Sequence, residues 1–73
     1  MINIGQIGIG YWGPNLLRNL VANKNCTVKM AVDISEERRE FVHRLYPAIS
    51  VTTEAQEIID DNEIKAVVNG GAK

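Results

Sequence analysis

The chain has 73 residues, of which 45% are hydrophobic and 23% are charged, and its formal net charge is −1. It is about half as long as a typical domain, so we expect a single domain or part of one, with a composition that excludes a disordered protein. The near-neutral charge provides no basic surface for nucleic acid or for an anionic membrane, and no apolar run is long enough to span a bilayer or form a signal peptide. Because Cys26 is the single cysteine, an internal disulfide is excluded, and the sequence has no Cys/His cluster that would indicate a zinc site. We expect the protein to be located in a reducing cytoplasm.

The first third of the sequence predicts a strand, a glycine turn and a helix. Residues 2–9 are rich in isoleucine, which is typical of a buried strand. Gln6 is the polar exception, and we expect it to lie near the strand end or to be hydrogen-bonded rather than to be a site residue. After the turn, Pro14 suits the first turn of a helix that ends at 23–25. The apolar face of this helix consists of Leu16, Leu17, Leu20 and Val21.

The middle of the chain repeats this alternation. Residues 26–33 predict a second strand, and Ser35 is the expected N-cap of a second helix that ends at Tyr46 and Pro47. The apolar face of this helix consists of Phe41, Val42 and Leu45. Residues 48–52 predict a short third strand.

The last third predicts one more helix and one more strand. Thr53 and Gln56 form a capping-box pattern at the start of the helix. Its apolar stripe consists of Ala55, Ile58 and Ile59. An acidic turn at 60–62 leads to a fourth strand at 64–68. Strands that alternate with helices of about ten residues predict an α/β fold with a parallel sheet and right-handed crossovers.

The turn between the first strand and the first helix carries the chemistry. The run Gly8-Ile9-Gly10-Tyr11-Trp12-Gly13 matches G-x-G-x-x-G in its required context, with a strand before it and a helix after it. Gly8 permits the sharp turn, Gly10 allows the backbone to approach a pyrophosphate, and Gly13 allows close packing of the helix on the sheet. The helix N-terminus then presents unpaired N–H groups to phosphates. A tight turn without a ligand is the alternative.

An acidic residue completes the pattern. Asp33 lies twenty residues beyond Gly13, at the end of the second strand, where its carboxylate can accept hydrogen bonds from the adenosine ribose. Because a 2′-phosphate would meet a like charge there, and because no arginine directly follows, the sequence favours NAD over NADP. We expect Arg38 and Arg39 to be solvated. The alternative for Asp33 is a second helix cap in series with Ser35.

Other reactive side chains have ordinary structural interpretations. Trp12 could shield the pyrophosphate or nicotinamide side of a dinucleotide, or equally cover a neighbouring domain. We expect His43 to be a solvated surface residue rather than a general base, and Cys26 to be a small core residue. The mixed-sign cluster at 36–40 predicts an exposed helix face.

The chain resembles the N-terminal cofactor domain of the Gfo/Idh/MocA oxidoreductases, the relatives of glucose-fructose oxidoreductase and inositol dehydrogenase. The resemblance covers residues 2–68 and rests on the segments IGQIGIGYWGPNLLRNL, VDISEERREF and VTTEAQEIIDDNEIKAVV. The G-x-G-Y-W-G-P-N turn is similar to that of members acting on nucleotide-linked amino sugars. The resemblance implies a Rossmann fold, NAD(H) binding and hydride transfer at a sugar hydroxyl. It matches the phosphate turn to Gly8, Gly10, Tyr11, Trp12 and Gly13, and the ribose clamp to Asp33 and Ile34.

The resemblance also implies what this stretch of chain lacks. The family continues after the fourth strand with a small residue, Thr and Pro, where this sequence has Asn-Gly-Gly-Ala-Lys at 69–73. The family's catalytic lysine lies beyond that strand, and its histidine and aspartate belong to a separate substrate domain. Neither Lys65 nor Lys73 matches, so we predict no catalytic and no metal-binding residue. We expect residues 1–73 to be a single truncated dinucleotide-binding domain of four parallel strands in the order 3-2-1-4 with flanking helices.

Two other classes of function remain open. Truncation after the fourth strand would expose an apolar sheet edge, so a non-catalytic interaction fragment could form a homodimer by pairing at that edge. A methyltransferase that binds S-adenosylmethionine also uses a glycine turn and an acid after its second strand. It usually has a glycine or small residue two positions after Gly10, where this chain has Trp12.

Overall fold

The chain forms a four-stranded parallel sheet in the strand order β3-β2-β1-β4, flanked by three helices. The computed structural model describes residues 1–10 and 13–70. The elements in chain order are β1 (Ile2–Ile7), α1 (Gly13–Ala22), β2 (Cys26–Val32), α2 (Glu36–Leu45), β3 (Ser50–Thr52), α3 (Ala55–Asp60) and β4 (Ile64–Asn69). The predicted α/β class, Rossmann-type topology and strand order are confirmed. The first three predicted strands extend one or two residues beyond the observed ones because their end residues already belong to turns.

The sheet has β1 at its centre, between β2 and β4. Ile2 pairs with Cys26 and Ile7 with Val32, while Asn3 to Ile7 pair with β4 on the other side, and each ladder contains one register shift. β3 contributes only three residues, which pair with the carboxyl half of β2. This arrangement sets the ends of β1, β2 and β3 close together at one edge of the sheet.

Two helices share one apolar core. Leu17 of α1 and Val42 of α2 are fully buried, and they lie in one cluster with Val28 and Ala31 of β2. Burial of side chains of this size stabilises a fold by about 1.5–3 kcal/mol each, so this cluster dominates the stability of the domain. Ile9, which directly follows the first glycine of the turn, is also buried in it. The core therefore anchors the glycine turn itself.

The third helix packs at a different place, against the central strand. Ile58 of α3 is buried, and its side-chain carbons lie 2.8 Å from the point that a Cβ on Gly5 would occupy. Such a distance is shorter than a real Cβ contact, so this close approach requires glycine at position 5. Ile59 is 66% exposed, so its predicted place in the apolar stripe is wrong. Ile58 is the buried residue of this six-residue helix.

The helix starts agree with the sequence in one case and differ in another. Ser35 caps α2 as predicted, since its hydroxyl accepts the N–H of Arg38. The capping box at Thr53 and Gln56 is wrong: the residue before α3 is Glu54, and it makes no side-chain capping bond. Thr52 acts instead. Its hydroxyl accepts the Glu54 N–H and donates to the Glu57 carboxylate, because the chain leaves β3 at that residue.

None of the helices in the described ranges combines the length and apolarity needed to cross a membrane.

Candidate functional site

The carboxyl ends of the four strands are joined by backbone hydrogen bonds at one edge of the sheet. Gly8 N–H donates to the Val32 carbonyl at 2.7 Å, and Asp33 N–H donates to the Thr52 carbonyl at 3.1 Å. On the other side of β1, Gly70 N–H donates to the Ile7 carbonyl at 3.0 Å. The chain order reverses between β1 and β4, and in open parallel sheets the crevice at such a reversal is where ligands bind.

A cleft of about 530 Å³ lies at this edge. Its walls come from the ends of β1, β2 and β4, from the glycine turn and from the start of α3. The lining residues are Ile7, Gly8, Gly10, Val32, Asp33, Ile34, Thr53, Ala55 and Asn69. The sequence analysis identified Gly8, Gly10, Asp33 and Ile34 as site residues and missed the other five. Their positions at the ends of β1, β2 and β4 or between β3 and the start of α3 are the signal that could have identified them.

The glycine turn has a backbone that side chains would disfavour. Gly8 has φ 86° and Gly10 has φ 49°, both in the left-handed region. A Cβ on Gly13 would lie 3.1 Å from Gln6 Nε2 and 3.2 Å from the Gly8 carbonyl oxygen, so α1 begins against the strand end. Tyr11 and Trp12, the two aromatic residues predicted to belong to the turn, lie outside the described residues.

The Asp33 carboxylate faces the glycine turn. Its Oδ2 accepts the Ile9 N–H at 2.8 Å and the Gly10 N–H at 3.4 Å. Its Oδ1 accepts the Ser35 N–H at 2.9 Å, so the capping role considered for Asp33 is present together with the contact to the turn. Asp33 thus joins the turn after β1 to the start of α2.

Opposing effects act on the Asp33 carboxyl. Partial burial raises its pKa, but the N–H groups of Ser35, Ile9 and Gly10 and the positive charge of Arg38 outweigh this, so the pKa is lowered overall. The carboxylate is therefore ionised at neutral pH, and the described turn amides already face an anion.

Arg39 is not simply solvated, so that prediction is wrong. Its Nη1 donates to the carbonyls of Asp33 and Ile34, both at 2.9 Å. The guanidinium spans the loop between β2 and α2 because the first two turns of that helix bring position 39 back over the loop. Ile34 itself is 87% exposed and lines the cleft beside Asp33.

Of the three helices that begin at this edge, α1 and α2 differ in charge at their starts. The first turn of α1, residues 13–16, contains no acidic side chain, whereas the first turn of α2 contains Glu36 and Glu37. A helix N-terminus carries a partial positive charge, which acidic side chains offset. The start of α1 therefore remains attractive to a phosphate, while the start of α2 is already compensated.

The remaining candidates lie elsewhere. His43 is exposed, as predicted, and lies on α2 away from the cleft. Cys26 is only partly buried and its thiol donates to the Leu20 carbonyl, so it is less enclosed than a core residue. Among residues 1–10 and 13–70, no three His, Cys, Asp or Glu side chains are grouped closely enough to hold a metal ion.

Comparisons with solved structures agree with this fold. No protein-family model matches the sequence, and no curated protein matches it. Among solved structures, the chain is similar to a probable dehydrogenase from Thermotoga maritima, with 22% identity over 97% of this chain and a TM-score of 0.85. It is also similar to GenD2 from gentamicin A biosynthesis in complex with NAD, with 22% identity over 94% and a TM-score of 0.84. An NAD-binding protein from Listeria innocua has 20% identity over 94% and a TM-score of 0.81.

The chain spans about a fifth of the length of these proteins, since it covers 20% of two of them and 21% of the third. The superposition extends over nearly all of this chain. It shows that this chain shares a fold with part of each of these proteins.

Proposed function

We propose that this chain is the NAD(H)-binding module of a cytoplasmic oxidoreductase acting on a sugar or nucleotide-sugar hydroxyl, and that it is not catalytic by itself. The observation that carries the proposal is the Asp33 carboxylate, held 2.8 Å from the Ile9 N–H at the mouth of the cleft. Two solved structures of the same fold are described as NAD-binding or NAD-bound. The site suits a dinucleotide because the Asp33 carboxylate, a hydrogen-bond acceptor for a ribose, lies beside the glycine turn and beside the start of α1, whose partial positive charge no acidic side chain offsets.

Each part of the cleft has a role in this proposal. The nicotinamide ring, when bound, accepts or donates a hydride, and this chain supplies the geometry that holds the rest of the dinucleotide. Asp33 accepts hydrogen bonds from the adenosine ribose. Ile34 offers an exposed apolar surface to the adenine. Gly8, Gly10, Tyr11, Trp12 and Gly13 make up the turn that faces the pyrophosphate.

The cofactor preferred is NAD rather than NADP. A 2′-phosphate would lie beside the ionised Asp33 carboxylate, and like charges at such a distance repel. Arg39 could have compensated, but its guanidinium is engaged by the carbonyls of Asp33 and Ile34.

Isothermal titration calorimetry of the purified protein with NAD and NADP tests the proposal. We expect NAD to bind at least tenfold more tightly than NADP, which corresponds to about 1.4 kcal/mol. Asp33→Asn should reduce or abolish this preference. Asp60→Asn is the matched control, because Asp60 is exposed on α3 and contacts only Gln56 among the described residues. A folded wild-type protein that gives no heat with NAD would refute the proposal.

A second candidate is a non-catalytic fragment that self-associates through β4. In the described part of the chain, β4 pairs only with β1, and Val67 on it is 50% exposed. An edge strand with unpaired backbone groups can add another strand. Sedimentation velocity would detect the dimer, and Val67→Lys should dissociate it. A monomer at every micromolar concentration tested would exclude this candidate.

A further inference from the structure

A fully buried glutamine lies against the backbone of the glycine turn. Gln6, on the central strand β1, is 0% exposed. Its Nε2 donates to the Gly8 carbonyl at 3.1 Å and to the Gly13 carbonyl at 3.3 Å. These two carbonyls stand at the two ends of the turn, so one carboxamide connects the exit from β1 with the entrance to α1.

Stability alone does not account for this residue. Gln6 Oε1 is buried and has no hydrogen-bond partner among the described residues. An unsatisfied buried acceptor destabilises a fold, whereas an apolar side chain of the same shape would remove it but leave the Gly8 and Gly13 carbonyls without the Nε2 donor. The two hydrogen bonds of Nε2 therefore come together with an unsatisfied acceptor in the same carboxamide.

The Gln6 carboxamide also lies close to the backbone of the segment that leaves β4. A Cβ on Gly70, just after β4, would be 2.6 Å from Gln6 Nε2 and 2.9 Å from the Gly8 carbonyl oxygen. Both distances are below the shortest real Cβ contacts. The bare backbone at Gly70 thus makes room for the Gln6 amide, and Gln6 touches both the turn and the segment that leaves β4.

We propose that Gln6 is a positioning residue of the dinucleotide site. By holding the carbonyls of Gly8 and Gly13, its carboxamide sets the spacing between the end of β1 and the start of α1, where the pyrophosphate would lie. This role rests on the proposed function of the cleft. It extends that function to a side chain that is buried and does not line the cleft.

The test replaces Gln6 by an apolar residue of similar length. Gln6→Met removes the unpaired acceptor but also leaves the Gly8 and Gly13 carbonyls without the Nε2 donor, so we expect these effects to offset each other and the thermal midpoint to change little. The dissociation constant for NAD should nevertheless increase about tenfold, the equivalent of one neutral hydrogen bond. Gln56→Met is the matched control, because Gln56 is the only other glutamine and lies exposed on α3. It should leave both quantities unchanged.

Amide hydrogen exchange of the ligand-free protein gives an independent measurement. In Gln6→Met, the Ile9 amide, which donates to Asp33, should exchange about tenfold faster. The Tyr46 amide, which donates to the Val42 carbonyl at the end of α2, should be unaffected. If wild-type protein binds no NAD, the proposed function of the cleft fails, and this measurement still decides the role of Gln6.

A third measurement needs no variant. On titration of wild-type protein with NAD, the side-chain NH₂ resonances of Gln6 should shift, whereas those of Gln56 should not. The proposal is overturned if Gln6→Met binds NAD as the wild type does, or if its Tyr46 and Ile9 amides exchange faster by the same factor. The second result would make Gln6 a general stability residue.

Discussion

Replacing Asp33 by asparagine removes the charge that joins the glycine turn to α2. In the wild type, the carboxylate accepts the Ile9 N–H at 2.8 Å with one oxygen and the Ser35 N–H at 2.9 Å with the other. Asparagine keeps only one acceptor oxygen, so its NH₂ group must face one of these two N–H donors. The variant therefore loses one good hydrogen bond to a charged group and weakens the other.

The size of the effect follows from these contacts. A hydrogen bond to a charged group contributes about 1.5–3 kcal/mol, and the lower end applies because the carboxylate is only partly buried. The 3.4 Å contact with Gly10 adds little. We expect Asp33→Asn to lower the free energy of unfolding by about 2 kcal/mol. A domain of this length has a total of about 4–11 kcal/mol, so the loss is a large share of it.

The pH dependence has a definite sign. The pKa of Asp33 is lowered in the folded state, so its contribution is complete above the unfolded pKa of about 3.9 and is lost as pH falls through the folded pKa. Urea unfolding followed by circular dichroism at pH 7 and at about pH 2.5 measures the difference between wild type and Asp33→Asn. It should be about 2 kcal/mol at neutral pH and shrink in acid.

Asp60→Asn provides the control, with a change below about 0.5 kcal/mol at either pH because the residue is exposed. If Asp33→Asn unfolds at the same urea concentration as the wild type at pH 7, the carboxylate does not hold the turn. If the difference is equally large in acid, its origin is not the ionised form.

Three further substitutions test separate parts of the structure. Gly8→Ala should destabilise the protein by about 1–2 kcal/mol in urea unfolding, because alanine resists φ 86°; an unchanged midpoint would contradict the turn geometry. Gly5→Ala should cost about 1–3 kcal/mol, since its Cβ would meet Ile58. Combining it with Ile58→Ala should cost less than the sum of the two single changes, whereas additivity would argue against contact. Lys29→Met removes ion pairs with Asp61 and Glu63, so it should lower the free energy of unfolding slightly at low salt and not at high salt. A destabilisation that persists at high salt would rule out charge as the cause.

Local sequence signals predicted helices and strands well where the secondary-structure propensity of a segment agreed with its packing in the fold. The isoleucine-rich start predicted β1, and Ser35 predicted the start of α2, where its hydroxyl accepts the Arg38 N–H. The capping box at Thr53 failed because α3 begins one residue later than predicted, with Glu54 as its N-cap, and Thr52 makes the side-chain hydrogen bonds to Glu54 and Glu57. A pattern of residue types does not reveal at which residue a three-residue strand ends.

Both the sequence and the tertiary structure were needed to locate the candidate site. The glycine spacing and the position of Asp33 predicted a turn and an acid at one edge of the sheet. Thr53 and Asn69 reached the same cleft only through strand pairing, and no local motif marks them. Arg39 was expected to be solvated, yet the geometry of the first turns of α2 places its guanidinium on two loop carbonyls.

By itself, the sequence determined the alternation of strands and helices, because short apolar runs, glycine, proline and capping residues act over a few neighbouring positions. The strand order was predicted together with the family resemblance. The sequence also determined where the glycine turn lies. Only the tertiary structure decided what surrounds that turn. The buried carboxamide of Gln6 between Gly8 and Gly13, and the bare backbone of Gly70 against it, join positions up to 64 residues apart. Contacts over such separations exist only once the sheet has assembled, and local residue patterns do not encode them.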